Sequence, residues 1–338
     1  MDISVIIPTR PNDDGTVARC VASVRPQLGP GDELFVSADG EIDPGAFRDL
    51  GDARVLSGPR GGPGGARNRA LDIAGKALIL FLNDDVIAHD GLIDTHRAAH
   101  SRRTERGQAG AMVLGSAPWH VFEDDRVIDR LLRETSMIFF YDRMDTDNPE
   151  RDWGYRHAWT LNLSVPASIV GRFSEHLRQP MFDDLEWAYR LQRSHRAPLI
   201  YRPDAAVTHR HRYEPIMLLR REALLGHQAA ALMRANEACG RDVFGDRFAC
   251  DRRAGIHEDH ITGGIVAARE ALHGLCARAD LPAGSVSADE VATMLEESRV
   301  WREVARSIGF VHALRGESPE AAQQYATEEL SVSCERSH

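Results

Sequence analysis

Short apolar runs alternate with helical patterns along the first hundred residues. The runs fall at 3–7, 33–37, 54–56, 77–82 and 109–114, with helical stretches near 16–25, 44–50, 65–75 and 90–101 and Gly or Pro at the joints. Strands alternating with helices predict βαβ units, and therefore a mostly parallel sheet flanked by helices on both faces. Sheets of this kind bind ligands outside the carboxyl ends of their strands. Chemistry is therefore expected in the residues just after each apolar run.

The pattern then changes. Between 116 and 158 the chain gathers Trp119, Phe122, Phe139, Phe140, Tyr141, Trp153, Tyr155 and Trp159 among many acids. Such a stretch suits a wall for an acceptor, or equally a covering helix with its core aromatics. A shorter αβ pattern occupies 160–213. Beyond it the chain reads as helical at 215–238, 261–278, 288–299 and 301–314, with breaks near Gly240–Gly245 and at Leu281-Pro282-Ala283-Gly284. The expected organisation is a catalytic domain over 1–213 and an α-helical C-terminal region over 214–338. That region is expected to brace the domain or to form a homodimer.

Composition narrows the function classes. The 338 residues are 43% hydrophobic and 27% charged, a globular composition with enough apolar side chains for a sizeable core. A formal charge of −10 disfavours phosphate-backbone binding, so nucleic acid is not the expected partner. No apolar run approaches the roughly 20 residues that span a bilayer. The opening Ile3-Ser4-Val5-Ile6-Ile7-Pro8 lacks the basic region and cleavage site of a signal peptide. Five cysteines, odd in number and without C-x-x-C spacing, predict neither a disulfide framework nor a zinc-thiolate site. The expected location is cytoplasmic.

Gly61-Gly62-Pro63-Gly64-Gly65-Ala66-Arg67 invites a phosphate-loop reading, but it fits neither G-x-G-x-x-G nor Walker A spacing. As a turn leading into a helix it needs no function. The acidic clusters say more. Ala77 to Leu82 reads as a buried strand running into Asn83-Asp84-Asp85, which puts adjacent acids at the sheet's carboxyl edge, where a hard cation can sit. The alternative is a turn whose acids cap the next helix. Asp183-Asp184-Leu185-Glu186 crowds three acids into one turn. Like charges this close raise at least one pKa, as a general base requires, while a helix N-terminus opposes that shift. His209-Arg210-His211 places two imidazoles on one face of a strand end, a candidate metal pair. His96/His100 and His257/His260 have helical spacing without neighbouring acids and read as surface residues.

In order along the chain, these pieces resemble the family 2 glycosyltransferases of the GT-A fold. The family's opening S-V-I-I-P-T stands at Ser4–Thr9. Its V-V-D-D-G-S reads Val36-Ser37-Ala38-Asp39-Gly40-Glu41, and its N-x-G-x-x-x-A-R-N reads Arg60 to Asn68. Its metal motif D-x-D reads Asn83-Asp84-Asp85. Its later elements resemble Asn162, Gly171 to Glu175, and Asp183 to Arg190. The resemblance spans about 1–213. It implies that Pro8, Thr9 and Arg10 border the nucleoside, that Asp39 hydrogen-bonds the base, and that Arg67 lies near the base or diphosphate. It further implies Asp85 as the main ligand of a divalent cation (Mn2+ or Mg2+), with Asn83 in place of the first acid and His209 as a third contact. Asp84 would lie beside the ribose or sugar. Asp184 would be the catalytic base, with Asp183 second.

The implied reaction is single displacement with inversion. A carboxylate deprotonates the acceptor hydroxyl, and a cation neutralises the departing nucleoside diphosphate of a UDP-, GDP- or dTDP-sugar. The acceptor would be a glycan, a glycolipid or a small molecule. Two other readings compete. A sugar-nucleotide pyrophosphorylase usually carries a Gly-rich, basic signature after its first strand, whereas here Pro8 to Asp14 supplies one Arg followed by acids. A non-catalytic nucleotide-sugar-binding module would bind donor without turnover.

Overall fold

The computed structural model describes all residues except 12–14, 43–46, 48, 49, 145, 146, 246–253 and 332–338, and the side chain of 142. Most of the helix expected at 44–50 lies outside the described residues, as do Asn12 to Asp14. The chain divides into two compact units: 1–120 with 143–211, and 121–142 with 212–338. The aromatic stretch 116–158 is thus split, and its segment 121–142 groups with the C-terminal helices.

In chain order the elements of the first unit are β1 (Ile3–Thr9), α1 (Thr16–Val24), β2 (Glu33–Ala38), β3 (Arg54–Leu56), α2 (Gly62–Leu71), β4 (Leu78–Leu82), β5 (Val86–Ala88), α3 (Leu92–Glu105) and β6 (Met112–Ser116). After α4 (Val127–Glu134) of the second unit come β7 (Asn162–Pro166), α5 (Asp183–His195) and β8 (Leu199–His209). The strands form one sheet in the order β3-β2-β1-β4-β7-β6-β8-β5. β3, β2, β1 and β4 are mutually parallel, whereas β7 runs against both its neighbours, so the α/β sheet is mixed. Every residue of β1 and β4 is buried, which is why both read as continuous apolar runs. β5 escaped the sequence pattern because it is three residues long and pairs only with the end of β8.

Asn162 on β7 fastens the middle of the sheet. Its amide donates to the carbonyls of Ser116 and Ala205, at 3.0 and 2.8 Å, where the β6–β8 register shifts. Its Oδ1 meets His96 Nε2 at 3.0 Å, while His96 Nδ1 and His100 Nε2 lie 2.7 and 2.8 Å from the Ser164 hydroxyl. Both histidines are buried, which corrects the surface reading: α3 lies against the sheet, and β7 provides the polar partners a buried imidazole needs. Burial pushes His96 down to about 4 and His100 down to about 3.

The second unit is helical: α4, then α6 (Pro215–Ala235), α7 (Glu237–Phe244), α8 (Ala254–Ala279), α9 (Ala288–Leu314) and α10 (Pro319–Leu330). α9 runs unbroken through the join expected at 299–301, because Trp301 is buried there and no Gly or Pro stands near that point. The break at 281–284 is a short 3-10 turn, Ala283–Ser285, after which Ser287 and Glu290 cap α9 reciprocally. α6 and α9 meet through Gly226 and Gly309, where a methyl group would lie 1.9 Å from the Arg306 carbonyl and 1.8 Å from that of Ala223. His257 is buried against the Ser307 hydroxyl and His260 is half-buried, so this pair too departs from the surface expectation. Among the described residues, Cys20 and Cys239 are free and buried. Among the described residues no helix is long and apolar enough to cross a membrane.

Candidate active site

The carboxyl ends of β1, β2 and β4 lie side by side, and the predicted donor residues gather on them. Thr9 ends β1 and donates its hydroxyl to Asp84 Oδ2 at 2.6 Å. The Asp39 amide donates to the Thr9 carbonyl at 2.8 Å, and Asp39 Oδ1 accepts the Gly61 amide at 2.7 Å. Arg69, which the motifs did not single out, holds this corner by donating to the carbonyls of Ala38 and Pro59 at 2.6 and 2.9 Å. Pro8 is buried in the β1–β2 pairing, while Arg10 is exposed just past the strand.

Asp84 and Asp85 lead into β5, so neither caps a helix. The pairing of β5 with β8 sets Val86 opposite His209 and brings the strand-end histidines to Asp85. Asp85 Oδ2 lies 3.2 Å from His209 Nε2 and 3.3 Å from His211 Nδ1. Asp85 Oδ1 is buried with no hydrogen-bond partner among the described residues. Burial alone would push this carboxyl up, but the charge and hydrogen bonds of His209, joined by those of His211, hold it well below the usual range. His209 is held on both sides. Its amide donates to the Pro118 carbonyl, its carbonyl accepts the His120 amide, each at 2.9 Å, and the Trp119 ring lies 4.3 Å from its imidazole. Among the described residues, no three His, Cys, Asp or Glu side chains form a ready metal cage.

The second acidic cluster opens α5. Phe182 takes the N-cap position and leaves Asp183, Asp184 and Glu186 in the first turn, so the acids are not caps. Met181 and Phe182 carry φ of +96° and +64°, a left-handed entry that non-glycine residues adopt only when their surroundings hold them there. Asp183 is buried and ion-pairs with Arg67 at 3.0 Å; the other guanidinium nitrogen donates to Asn83 Oδ1 at 3.3 Å. Asp184 is half-buried, and its carboxylate accepts the Thr160 amide at 3.5 Å. Burial pushes both carboxyls up, Asp183 to about 7, and for Asp183 the charge of Asp184 adds to the effect. Desolvation outweighs both the Arg67 cation and the helix N-terminus, which favour the ionised forms.

α2 carries Arg67 into this position. A methyl group on Gly64 would come within 3.0 Å of Phe173 Cβ and 3.7 Å of Asp183 Cβ, so the glycine lets the helix approach α5 closely. Asn68 locks the 171–175 element by exchanging two hydrogen bonds with the Phe173 backbone, at 2.8 and 3.0 Å. Phe81, Phe173 and Trp187 pack with ring centroids 5.0 to 5.7 Å apart. Arg67 lies over this aromatic floor, 5.4 Å from the Phe173 ring and 6.0 Å from that of Phe81. Residues 83–85 and 183–184, about a hundred positions apart, are thus tied together by one buried arginine. Arg67 faces the carboxylates, and Asn83 faces Arg67.

Residues 4–151 match the model of glycosyl transferase family 2. Over that segment, which is less than half of the chain, the sequence is similar to family 2 glycosyltransferases. The match takes in β1 through β6 and the Asn83-Asp84-Asp85 cluster and stops short of Asp183 and Asp184. No curated protein sequence matches the chain. Solved structures with a similar chain path include TarS 1-349 of S. aureus, at 14% identity, covering 94% of this chain and 92% of that one with a TM-score of 0.45. The same TarS fragment in complex with UDP-GlcNAc matches at 15% identity over 94% and 93%, with a TM-score of 0.45. Glucosyl-3-phosphoglycerate synthase from Mycobacterium tuberculosis, in complex with Mn2+, UDP and phosphoglyceric acid, matches at 18% identity over 70% and 78%, with a TM-score of 0.44. Likenesses this distant carry no residue roles across.

Proposed function

We propose that this glycosyltransferase moves a sugar from a nucleoside-diphosphate donor to an acceptor hydroxyl by single displacement with inversion, assisted by a divalent cation. The observation that carries the reading is the convergence, through Arg67, of the 83–85 turn and the head of α5 on one edge of the sheet. A transferase of this type needs a cation-holding group and a proton-accepting group near the same sugar carbon, and these two clusters supply the residue types.

Asp184 is the base. It is half-buried, its carboxylate is steadied by the Thr160 amide, and burial raises its pKa in the direction a proton acceptor needs. Asp183 is committed to Arg67 and orients the turn. Thr9, Asp39 and Asp84 form the donor-side rim, with Asp39 and Asp84 offering acceptors to the nucleoside and sugar hydroxyls. Asp85, with His209 beside it, is the cation-holding side.

The donor set fits a cation. Asp85 Oδ1 is a buried oxygen with no partner among the described residues, and two imidazole nitrogens converge on the other oxygen of the same carboxylate. Magnesium and manganese are commonly held by one or two protein carboxylates with substrate phosphates completing the shell, so a full protein cage is not required. When bound, the cation would supply Lewis-acid neutralisation of the leaving diphosphate.

The test is nucleotide release from a panel of UDP-, GDP- and dTDP-sugars with and without MnCl2, alongside thermal shifts with the same compounds. Turnover from one donor, dependent on Mn2+ and lost in Asp184→Asn, is the expected result. Donor binding without turnover in both proteins overturns the reading in favour of a binding module.

A further inference from the structure

We propose that Asn83 is the neutral partner of Arg67, a positioning residue for the Asp183–Asp184 turn, and not a weakened cation ligand. The inference rests on the functional reading above and deepens it on the base side. Its first support is direction. The Asn83 side-chain oxygen accepts from Arg67 at 3.3 Å, from the same guanidinium that holds Asp183 at 3.0 Å. The Asp85 carboxylate, two residues on, meets His209 and His211 instead. The turn therefore sends one side chain to the base side and another to the cation side.

Its second support is charge. Arg67 is buried at 4% exposure over an aromatic floor and serves Asp183 directly and Asp184 through space. Two carboxylates already face this single cation, and both are pushed toward protonation. A carboxylate at 83 would be a third anion at the same guanidinium, in a setting where uncompensated charge is costly. A carboxamide has nearly the same shape, keeps the hydrogen bond and adds no charge. On this view the Asn is the residue the local charge balance requires, and reversion to Asp does not improve cation binding.

The experiment is a double-mutant cycle on the full chain, with melting temperature and Mn2+ binding (followed by the paramagnetic resonance of free Mn2+) as readouts that need no donor. Asn83→Asp is expected to melt several degrees lower and to bind Mn2+ within threefold of wild type. In the exchange variant Asn83→Asp/Asp183→Asn, which restores the charge count, melting is expected to recover beyond the sum of the single changes. With an active donor, Asn83→Asp is expected to lower kcat at least tenfold with KM for the donor little changed. Tenfold tighter Mn2+ binding by Asn83→Asp at unchanged melting overturns the proposal, as does an exchange variant no more stable than additivity. Should Asn83→Asp fail to fold, Asn83→Ser decides: unchanged Mn2+ binding with a lowered kcat supports it, and tenfold weaker Mn2+ binding with unchanged kcat overturns it. A wild type that transfers no sugar sinks the functional reading, while the melting cycle still decides the role of Asn83.

Discussion

The His96–Ser164–His100 cluster makes a quantitative prediction about acid stability. Both rings are buried and held neutral, with pKa values lowered from 6.5 to about 4 for His96 and about 3 for His100. The sign follows from proton uptake. Below pH 6.5 the unfolded chain takes up two protons that the folded chain refuses, so stability falls with pH from 6.5 downward until the folded values are reached. At pH 5 each ring costs about 2 kcal/mol, or about 4 kcal/mol for the pair, at about 1.4 kcal/mol per pH unit. Asp183 acts in the opposite direction. Its carboxyl, raised from 3.8 to about 7, is protonated first in the folded chain, and acidification from pH 8 to 5 returns roughly 2–3 kcal/mol. A wild-type curve alone is thus a partial cancellation. The informative comparison is with His96→Gln/His100→Gln, which keeps hydrogen-bonding groups at both positions and leaves Asp183 in place. Urea unfolding at steps between pH 8 and pH 5 is expected to show wild type losing about 4 kcal/mol more than the variant over that range, whatever their difference at pH 8. Parallel curves, within about 1 kcal/mol, would refute the claim that these rings stay neutral when folded.

Three further outcomes follow from the site. Asp184→Asn is expected to lower transfer about 10²–10⁴-fold while the donor-induced thermal shift persists, checked by nucleotide release and melting on one preparation. Asp85→Ala is expected to abolish the dependence of donor binding on Mn2+, seen as loss of the Mn2+-induced shift; retention of that shift would move the cation elsewhere. In the glycine-rich opening of α2, Gly62 has φ +75° and a methyl group there would lie 2.1 Å from the Arg178 carbonyl, whereas Gly65 has open space around it. Gly62→Ala should therefore cost about 1–3 kcal/mol, while Gly65→Ala should be neutral or stabilising by up to about 1 kcal/mol, both read by urea unfolding.

Strand positions were legible where burial is two-sided. β1, β2 and β4 read as apolar runs because successive residues on both of their faces are buried. The glycine-rich loop was half legible. The turn into a helix was readable, but the helix begins at Gly62, inside the run, because close approach to Phe173, Arg178 and Asp183 demands residues without side chains. Histidine placement was not legible. Polar partners 64 to 68 positions away make His96 and His100 core residues, and helical spacing alone carries no sign of Ser164 or Asn162. The grouping of 121–142 with the C-terminal helices was equally hidden, since a chain excursion leaves no periodicity of its own.

Arg67 shows where reading by motif stops and physical placement begins. The motif resemblance assigns it to the nucleotide or diphosphate, a sensible place for a cation. A guanidinium buried over Phe81 and Phe173, with one terminal nitrogen on Asp183 and the other on Asn83, has little surface left to offer a solvated phosphate. Its charge is spent within the protein, on two carboxylates that burial drives toward protonation. That changes the logic of the acids as well. Asp183 and Asp184 are adjacent and both raised, but only Asp183 has the cation in direct contact, so the two are differentiated by one arginine rather than by sequence position. A base needs a carboxylate that is desolvated enough to be basic yet free to meet a substrate proton. Asp184, half-buried and without a cation in direct contact, suits these conditions better than the buried, ion-paired Asp183, which is why the proposed mechanism gives it the base role.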